Sequence, residues 1–180
     1  MTAPYVVGLD LSLAATGVWY DPDEDGYQGH TIRTKATDSI EQRLGEIVTW
    51  LEDYGVSDAA DLVIIEDFVT RSPAASLLGM VHGAVRLELH TIGTPFVLVP
   101  PATLKKYATG RGNATKADMR MALYKRAGLD LADDNQVDAC WLHMLGMEAL
   151  GRPVVDLPAT QRIVQEAIAW PLDVMDRWAA

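Results

Sequence analysis

The stretch Tyr5-Val6-Val7-Gly8-Leu9-Asp10 decides the fold of this chain. Its apolar, partly β-branched residues predict a buried strand, and that strand ends at an acid, Asp10. A second apolar run, Leu-Val-Ile-Ile at residues 62–65, is typical of a central strand buried on both faces, and it ends at Glu66. The sequence therefore places a carboxylate at the end of each of two buried strands.

Around these two strands the pattern predicts three further strands and a series of helices. Strands are predicted at residues 16–20, 27–34 and 95–99, with the turn Asp21-Pro22-Asp23-Glu24-Asp25-Gly26 joining the first two. Helices are predicted from a cap at Asp38 or Ser39 to Leu51, from Ser72-Pro73 to about residue 91, at 103–107, at 116–127, and from a cap at Asp133 or Asp134 to about residue 150. This order predicts an α/β fold, a mixed five-stranded sheet with helices on both faces. We expect one domain over residues 1–150 and a C-terminal helical extension over 151–180.

Length and composition narrow the class of protein. A chain of 180 residues, 49% apolar, is long enough for one domain with a sizeable core. The single cysteine, Cys140, excludes an internal disulfide and fits a reducing, cytoplasmic setting. No apolar stretch approaches about 18 residues and the first residues do not resemble a signal peptide, so we expect no membrane partner.

Charge is unevenly distributed along the chain. The net charge of −10 argues against nucleic-acid binding, but residues 101–128 hold seven basic residues and one acid, Asp118, a local charge of +6. The rest of the chain has 8 basic and 24 acidic residues. The positive segment is either a phosphate-binding face or two helices with solvated lysines.

A third acid, Asp138, lies among apolar residues of a predicted helix, between Val137 and Ala139. An acid is costly to bury unless it is paired or bound to a cation, and carboxylates brought together raise one another's pKa until a divalent cation relieves the repulsion. Oxygen ligands of this kind suit Mg²⁺, and two such ions favour phosphodiester hydrolysis. Asp10, Glu66 and Asp138 are therefore predicted to be metal ligands and catalytic residues.

A fourth ligand has two candidates. Asp134 lies four residues before Asp138 and Asn135 three residues before it, so both spacings bring the side chains to one helix face. Asp134 is the better ligand by charge, although it competes with Asp133 for the helix cap. We predict Asp134 as catalytic and metal-binding, with the Asn135 carbonyl oxygen as the alternative.

Four segments, in this order, resemble RuvC-type Holliday junction resolvases. They are residues 7–18 (VGLDLSLAATGV), 63–66 (VIIE), 100–116 with a Gly-rich, lysine-bearing loop, and 134–139 (DNQVDA). The resemblance covers roughly residues 5–150 and is strongest to phage-encoded members. It implies a ribonuclease-H-like fold and a homodimeric endonuclease that uses Mg²⁺, with Mn²⁺ substituting, to nick two strands of a four-way DNA junction. Its setting would be the cytoplasm, the host's if the protein is phage-encoded.

The sequence departs from the family pattern at several positions. Leu11 replaces the usual Pro, and Asn135 stands where cellular members usually carry an acid. Phe68 is two residues after Glu66, whereas cellular members place an aromatic wedge three residues after. The segment 151–180 has no counterpart that we can assign. These departures bear on strict junction specificity more than on the chemistry.

Further residues are predicted to touch nucleic acid. Lys116, in the first turn of a helix after a Gly-rich loop, is expected to contact the scissile phosphate, with catalytic effect. Backbone contacts are expected from Lys105, Lys106 and Arg111. Phe68 and Arg71 are expected to approach the junction centre, with core packing as the alternative for Phe68.

Three other functions remain to be weighed against junction cleavage. The metal chemistry equally permits a ribonuclease-H-like nuclease acting on RNA–DNA hybrids or flaps, because it does not depend on the sugar. A non-catalytic junction-binding protein would not need all three acids. An actin-like or sugar-kinase-like ATPase needs two such domains and a Gly two residues after the Asp, where this chain has Ser12.

Overall fold

The structure, a computed structural model, describes residues 3–21, 26–54, 56, 59–68 and 75–178. The strands are β1 (Val6–Asp10), β2 (Ala15–Tyr20), β3 (Gln28–Arg33), β4 (Leu62–Glu66) and β5 (Phe96–Val99). The helices are α1 (Ile40–Asp53), α2 (Ala75–Ile92), α3 (Pro101–Thr109), α4 (Lys116–Ala127), α5 (Asp134–Ala149), α6 (Ala159–Arg162) and α7 (Leu172–Trp178), with a 3₁₀ helix at Ile163–Ala167. Within these residues, no helix combines the length and the apolar character that crossing a membrane requires.

The five strands form one mixed sheet in the order β3-β2-β1-β4-β5. Strands β1, β2 and β3 pair antiparallel, whereas β1 pairs parallel with β4 and β4 with β5. The sequence prediction of a mixed five-stranded α/β sheet is therefore confirmed. The central position of β1 makes it the neighbour of both the hairpin and the parallel half.

Successive residues of the central strands pack on opposite faces of the sheet, as strand geometry requires. Val6, Leu62 and Ile64 pack with α3, α4 and α5 on one face. Val7 and Leu9 pack with α1 and α2 on the other. Burial on both faces explains why β1 and β4 read as continuous apolar runs, and the predicted placement of helices on both faces is confirmed.

Local signals set several boundaries. Ser39 caps α1 through a capping box with Gln42, and Asp133, not Asp134, caps α5 by accepting a hydrogen bond from the Asn135 amide. Helix α3 begins at Pro101, two residues before the predicted start, because proline suits the first position of a helix. The predicted turn and the predicted start of the 72–91 helix lie largely outside the described residues.

The segment predicted as a C-terminal helical extension packs against the same core. Val164 and Val174 are buried in the cluster that contains α3 and α5. The Gln161 side chain donates a hydrogen bond to the Tyr107 carbonyl at 2.6 Å, and Arg177 pairs with Asp61 at 3.1 Å. Residues 151–178 thus help to hold α3 in place, while a domain boundary at residue 150 stays a prediction.

Helix α5 lies directly on the backbone of two strands. A Cβ atom built on Gly8 would overlap the Ala139 carbonyl oxygen and lie 2.7 Å from the His143 amide nitrogen. A Cβ on Gly17 would overlap the Asn135 carbonyl. The helix approaches the sheet this closely only because both strand positions lack a side chain.

We expect the substitution Gly8→Ala to destabilise the fold strongly. The added methyl meets helix backbone, which cannot move aside as a flexible side chain can, so the free energy of unfolding should fall by about 3 kcal/mol. Chemical denaturation with circular dichroism measures the change.

The matched control is Gly45→Ala in α1, where a Cβ meets nothing within 4 Å. That substitution should raise stability by about 0.5–1 kcal/mol, because alanine favours helix. Equal stabilities of the two variants would contradict the close contact of α5 with β1.

A three-carboxylate candidate metal centre

Sheet register brings the first two acids together. In the parallel pair β1 and β4, Leu9 lies opposite Ile65, so the next residues, Asp10 and Glu66, lie side by side at the carboxyl ends of the two strands. Both are the last residues of their strands. The residues before each acid are buried in the core, whereas the two acids, at the strand ends, are only partly buried.

Helix α5 supplies the third acid. Asp10 is paired with Gly17 across β1 and β2, and Gly17 is covered by Asn135 in the first turn of α5. Asp138 lies three residues further along the same helix face. Asp10, Glu66 and Asp138 each offer a carboxylate oxygen, and these oxygens all lie within 4.8 Å of one another.

Burial and mutual repulsion dominate the electrostatics of this cluster. Burial, followed by repulsion from Asp138, raises the pKa of Asp10 to about 7. Burial, followed by repulsion from Asp10 and Asp138, raises the pKa of Glu66 to about 8. Burial raises the pKa of Asp138 to about 6. Without a cation, these groups therefore retain protons at pH values at which ordinary carboxyls have lost them.

Two lysines oppose this effect. Lys116, from the first turn of α4, lowers the pKa values of all three carboxyls, and Lys105 of α3 lowers those of Glu66 and Asp138. The Nζ atom of Lys116 lies 3.4 Å from an Asp134 carboxylate oxygen. The sequence predicted Lys105 only as a backbone contact, so its approach to the carboxylates is a finding of the structure.

The donor set fits a hard divalent cation. Three carboxylates at this spacing offer the oxygen ligands that Mg²⁺ and Mn²⁺ prefer, and they leave room for water or phosphate oxygens. A dication would offset the burial and the repulsion that raise the pKa values of Asp10 and Glu66. No histidine or cysteine belongs to the group, which disfavours a zinc site.

The two candidates for a fourth ligand differ in their surroundings. Asp134 lies outside the three-carboxylate group, pairs with Lys116 and has a side chain that is 44% exposed. Asn135 donates from its side-chain Nδ2 to Asp133 Oδ1 at 2.9 Å, so the ligand candidate in this residue is the side-chain oxygen, Oδ1. Both lie in the first turn of α5, and the choice between them stays open.

The basic segment consists of α3, α4 and the loop between them. Lys105 and Lys106 are on α3, while Arg111, in the loop, pairs with Asp118 at 3.2 Å. Thr115 caps α4 through a capping box with Asp118, which fixes the helix end that carries Lys116. The predicted phosphate contacts thus lie on neighbouring elements, two of them beside the carboxylates.

Other predicted residues have mixed outcomes. The Phe68 ring packs against His82 of α2, with ring centroids 4.6 Å apart, and it is partly buried. Arg71 lies outside the described residues. Sequence reasoning missed Thr31 and Arg33 of β3, which bond to Asp133 about 100 residues away, because no local pattern signals such a contact.

Comparison with known proteins identifies the family. The chain is 34% identical to the crossover junction endodeoxyribonuclease RuvC of Rhodospirillum rubrum over 141 residues, 71% of this chain and 81% of that protein. It is 31% identical to the protein of the same name from Burkholderia multivorans over 151 residues, 77% of this chain and 83% of the relative. No protein-family model matches the chain.

Solved structures agree on the fold. The Thermus thermophilus RuvC structure superposes with a TM-score of 0.67 at 19% identity, covering 84% of this chain and 99% of that one. The structure of T. thermophilus RuvC in complex with a Holliday junction substrate gives 0.66 at 20% identity, covering 78% and 90%. The sheet is therefore ribonuclease-H-like, as the resemblance implied. With the sequence relatives, these findings show that the chain belongs to the crossover junction endodeoxyribonuclease RuvC family.

Proposed function

We propose that this protein is a divalent-metal-dependent endonuclease that resolves four-way DNA junctions by phosphodiester hydrolysis. The observation that carries the proposal is the cluster of Asp10, Glu66 and Asp138, whose carboxylate oxygens lie within 4.8 Å of one another. The names of its relatives support junction DNA as the substrate. The presence of all three acids argues against a purely binding role.

The three carboxylates would hold Mg²⁺, or Mn²⁺ in its place, with Asp134 or Asn135 as a fourth ligand. Held by these residues, the metal would supply an activated water and stabilisation of the leaving oxygen. Lys116 would bind the scissile phosphate, because it begins helix α4 and its charge acts on all three carboxyls. Lys105 adds a second positive charge at the same edge.

The nucleic-acid partner would lie along the basic segment. Lys106 and Arg111 are exposed there, and they are suited to phosphates that flank the scissile one. The acidic remainder of the chain would repel DNA, which favours a single binding orientation. Phe68 and Arg71 are proposed to face the junction centre, and the setting is proposed to be the cytoplasm, the host's if the protein is phage-encoded.

Symmetric cleavage of two strands requires two active sites, so we propose a homodimer. The described part of one chain contains one such carboxylate cluster. Helix α2 buries Val81, Val85 and Leu89 in the core, yet its opposite face exposes Met80 and Leu87, the latter with 66% exposure. An exposed apolar face of this kind suits self-association about a two-fold axis.

We expect Asp10→Asn and Glu66→Gln each to reduce junction cleavage by about a thousandfold or more, because each removes a charged metal ligand. Such a loss corresponds to about 4 kcal/mol of transition-state stabilisation. Junction affinity should remain within about threefold, since the basic segment is intact. Gel assays of cleavage and binding, with Mg²⁺ or Mn²⁺, measure both.

Glu52→Gln on the exposed face of α1 removes the same type of charge far from the cluster and should cleave like the wild type. The substrate panel contains four-way junctions, flaps, RNA–DNA hybrids and plain duplex. If the wild type cleaved hybrids or flaps faster than four-way junctions, the proposed substrate would be wrong. If Asp10→Asn cleaved junctions as fast as the wild type, the proposed metal centre would be wrong.

The raised pKa values predict how stability depends on pH. The folded, metal-free protein holds protons on Asp10 and Glu66 that the unfolded chain releases near pH 4, so stability falls as pH rises through about 7 and 8. Between pH 6.5 and 8.5 we expect the melting temperature to fall by about 2–6 °C. Added Mg²⁺ should abolish most of this fall.

That pH window avoids a buried histidine with the opposite sign. Burial lowers the pKa of His143 to about 4, so its destabilising effect lies below pH 6.5. Asp10→Asn should flatten the metal-free profile and Glu52→Gln should not. An unchanged slope in Asp10→Asn would contradict the electrostatic account.

The dimer is tested by Leu87→Asp, which places a charge on the exposed face of α2. We expect sedimentation equilibrium to report a dimer for the wild type and a monomer for the variant, both folded. Leu172→Asp, at a 78% exposed position of α7, should remain dimeric. A monomeric wild type, or a dimeric Leu87→Asp, would contradict this interface.

A further inference from the structure

The carboxylate of Asp133 does more than cap helix α5. Its Oδ1 accepts hydrogen bonds from the Asn135 amide at 3.0 Å and from Asn135 Nδ2 at 2.9 Å. Its Oδ2 accepts from Thr31 Oγ1 at 3.0 Å and from Arg33 Nη2 at 2.5 Å. One carboxylate therefore joins the first turn of α5 to edge strand β3.

A second hydrogen bond joins the same two elements, helix α5 and strand β3. Gln136 Nε2, in the first turn of α5, donates to Thr31 Oγ1 at 3.1 Å. Thr31 thus donates to one residue of the helix end and accepts from another. Thr31 and Arg33 are alternate residues of β3, so their side chains share one face of the strand, and both donate to Asp133.

Strand register connects this contact between α5 and β3 to the metal centre. Three residues form one row across three adjacent strands: Thr31 is paired with Gly17, and Gly17 is paired with Asp10. The start of α5 crosses the same row: Asp133 bonds to Thr31, and the Asn135 backbone lies against Gly17. Asp138, the next residue on this face, then reaches the end of the row beside Asp10.

We propose that Thr31, Arg33 and Asp133 are positioning residues that set the place of Asp138 in the metal centre. The contact with β3 fixes the outer end of the row, and the glycine contact fixes its middle, so the helix cannot pivot away from Asp10 and Glu66. The inference rests on the proposed function, since it concerns the same metal.

The network is better suited to setting geometry than to adding stability. The Arg33 side chain is 65% exposed, and ion pairs with such exposure contribute little to folding. Mg²⁺ is strict about the placement of its ligands, and partners that orient ligands commonly affect metal affinity about 10- to 100-fold. Variants should therefore fold and yet bind metal less well.

The decisive variants are Thr31→Val and Arg33→Gln, tested in the full-length protein. Thr31→Val removes both hydroxyl bonds without changing charge. Arg33→Gln removes a positive charge, which by electrostatics alone would tighten binding of a cation, whereas loss of positioning weakens it. We expect both to weaken Mn²⁺ binding about tenfold, measured by calorimetry without DNA.

Activity and rescue provide the second measurement. Half-maximal cleavage should require about tenfold more metal in both variants, with kcat largely restored at saturation. Arg33→Lys should bind Mn²⁺ more tightly than Arg33→Gln does, because it restores the positive charge beside Asp133. Arg177→Gln, which breaks an exposed ion pair with Asp61, is the matched control and should bind Mn²⁺ like the wild type.

The outcomes separate this inference from the proposed function. A wild type that binds no Mn²⁺ overturns the metal-dependent function and the inference with it. A wild type that binds, with Thr31→Val binding equally well, overturns the positioning role alone. Tighter Mn²⁺ binding by Arg33→Gln, accompanied by weaker junction binding, would instead assign Arg33 to DNA contact and also overturns it.

Discussion

The contact between helix α5 and the bare backbone of two strands is the constraint on which the rest of this structure depends. At Gly8 and Gly17 the helix lies closer to the sheet than any side chain would permit. This distance lets a carboxylate from a helix meet carboxylates from strand ends within 4.8 Å. A helix held at the ordinary separation by side chains would leave Asp138 out of reach of Asp10. Packing and chemistry are therefore set by the same two residues.

The site that results is electrostatically strained until a cation binds. Three partly buried acids lie together, and burial, followed by repulsion at Asp10 and Glu66, raises their pKa values to about 6 to 8, which favours bound protons when no metal is present. Metal binding must displace those protons, so affinity for metal rises with pH. Lys105 and Lys116 lower these pKa values, so they favour the charged carboxylates that a dication needs as ligands.

Much of the fold and the core of the site could be predicted from sequence, for identifiable reasons. Residues 62–65 form an uninterrupted apolar run, so β4 and the position of Glu66 at its end were unambiguous. Asp138 could be found because its neighbours are all apolar, which makes a carboxylate conspicuous. The identity of the α5 cap could not be predicted, because Asp133 and Asp134 are adjacent and equally suited to the role. The bonds from Thr31 and Arg33 to Asp133 could not be predicted either, because they join residues about 100 positions apart and depend on the register of two strand pairs.

The segment over residues 151–178 has a consequence for how the basic segment acquires its packing. Helix α3 carries Lys105, and the backbone of that helix is held by Gln161, which lies more than fifty residues later in the chain. Val174, further on, is fully buried in the same cluster. During synthesis on the ribosome, the strands of the sheet emerge well before the residues that secure α3. The carboxylate end of the sheet can therefore assemble before residues 161–178 have emerged, and α3 acquires its final packing only when that segment docks.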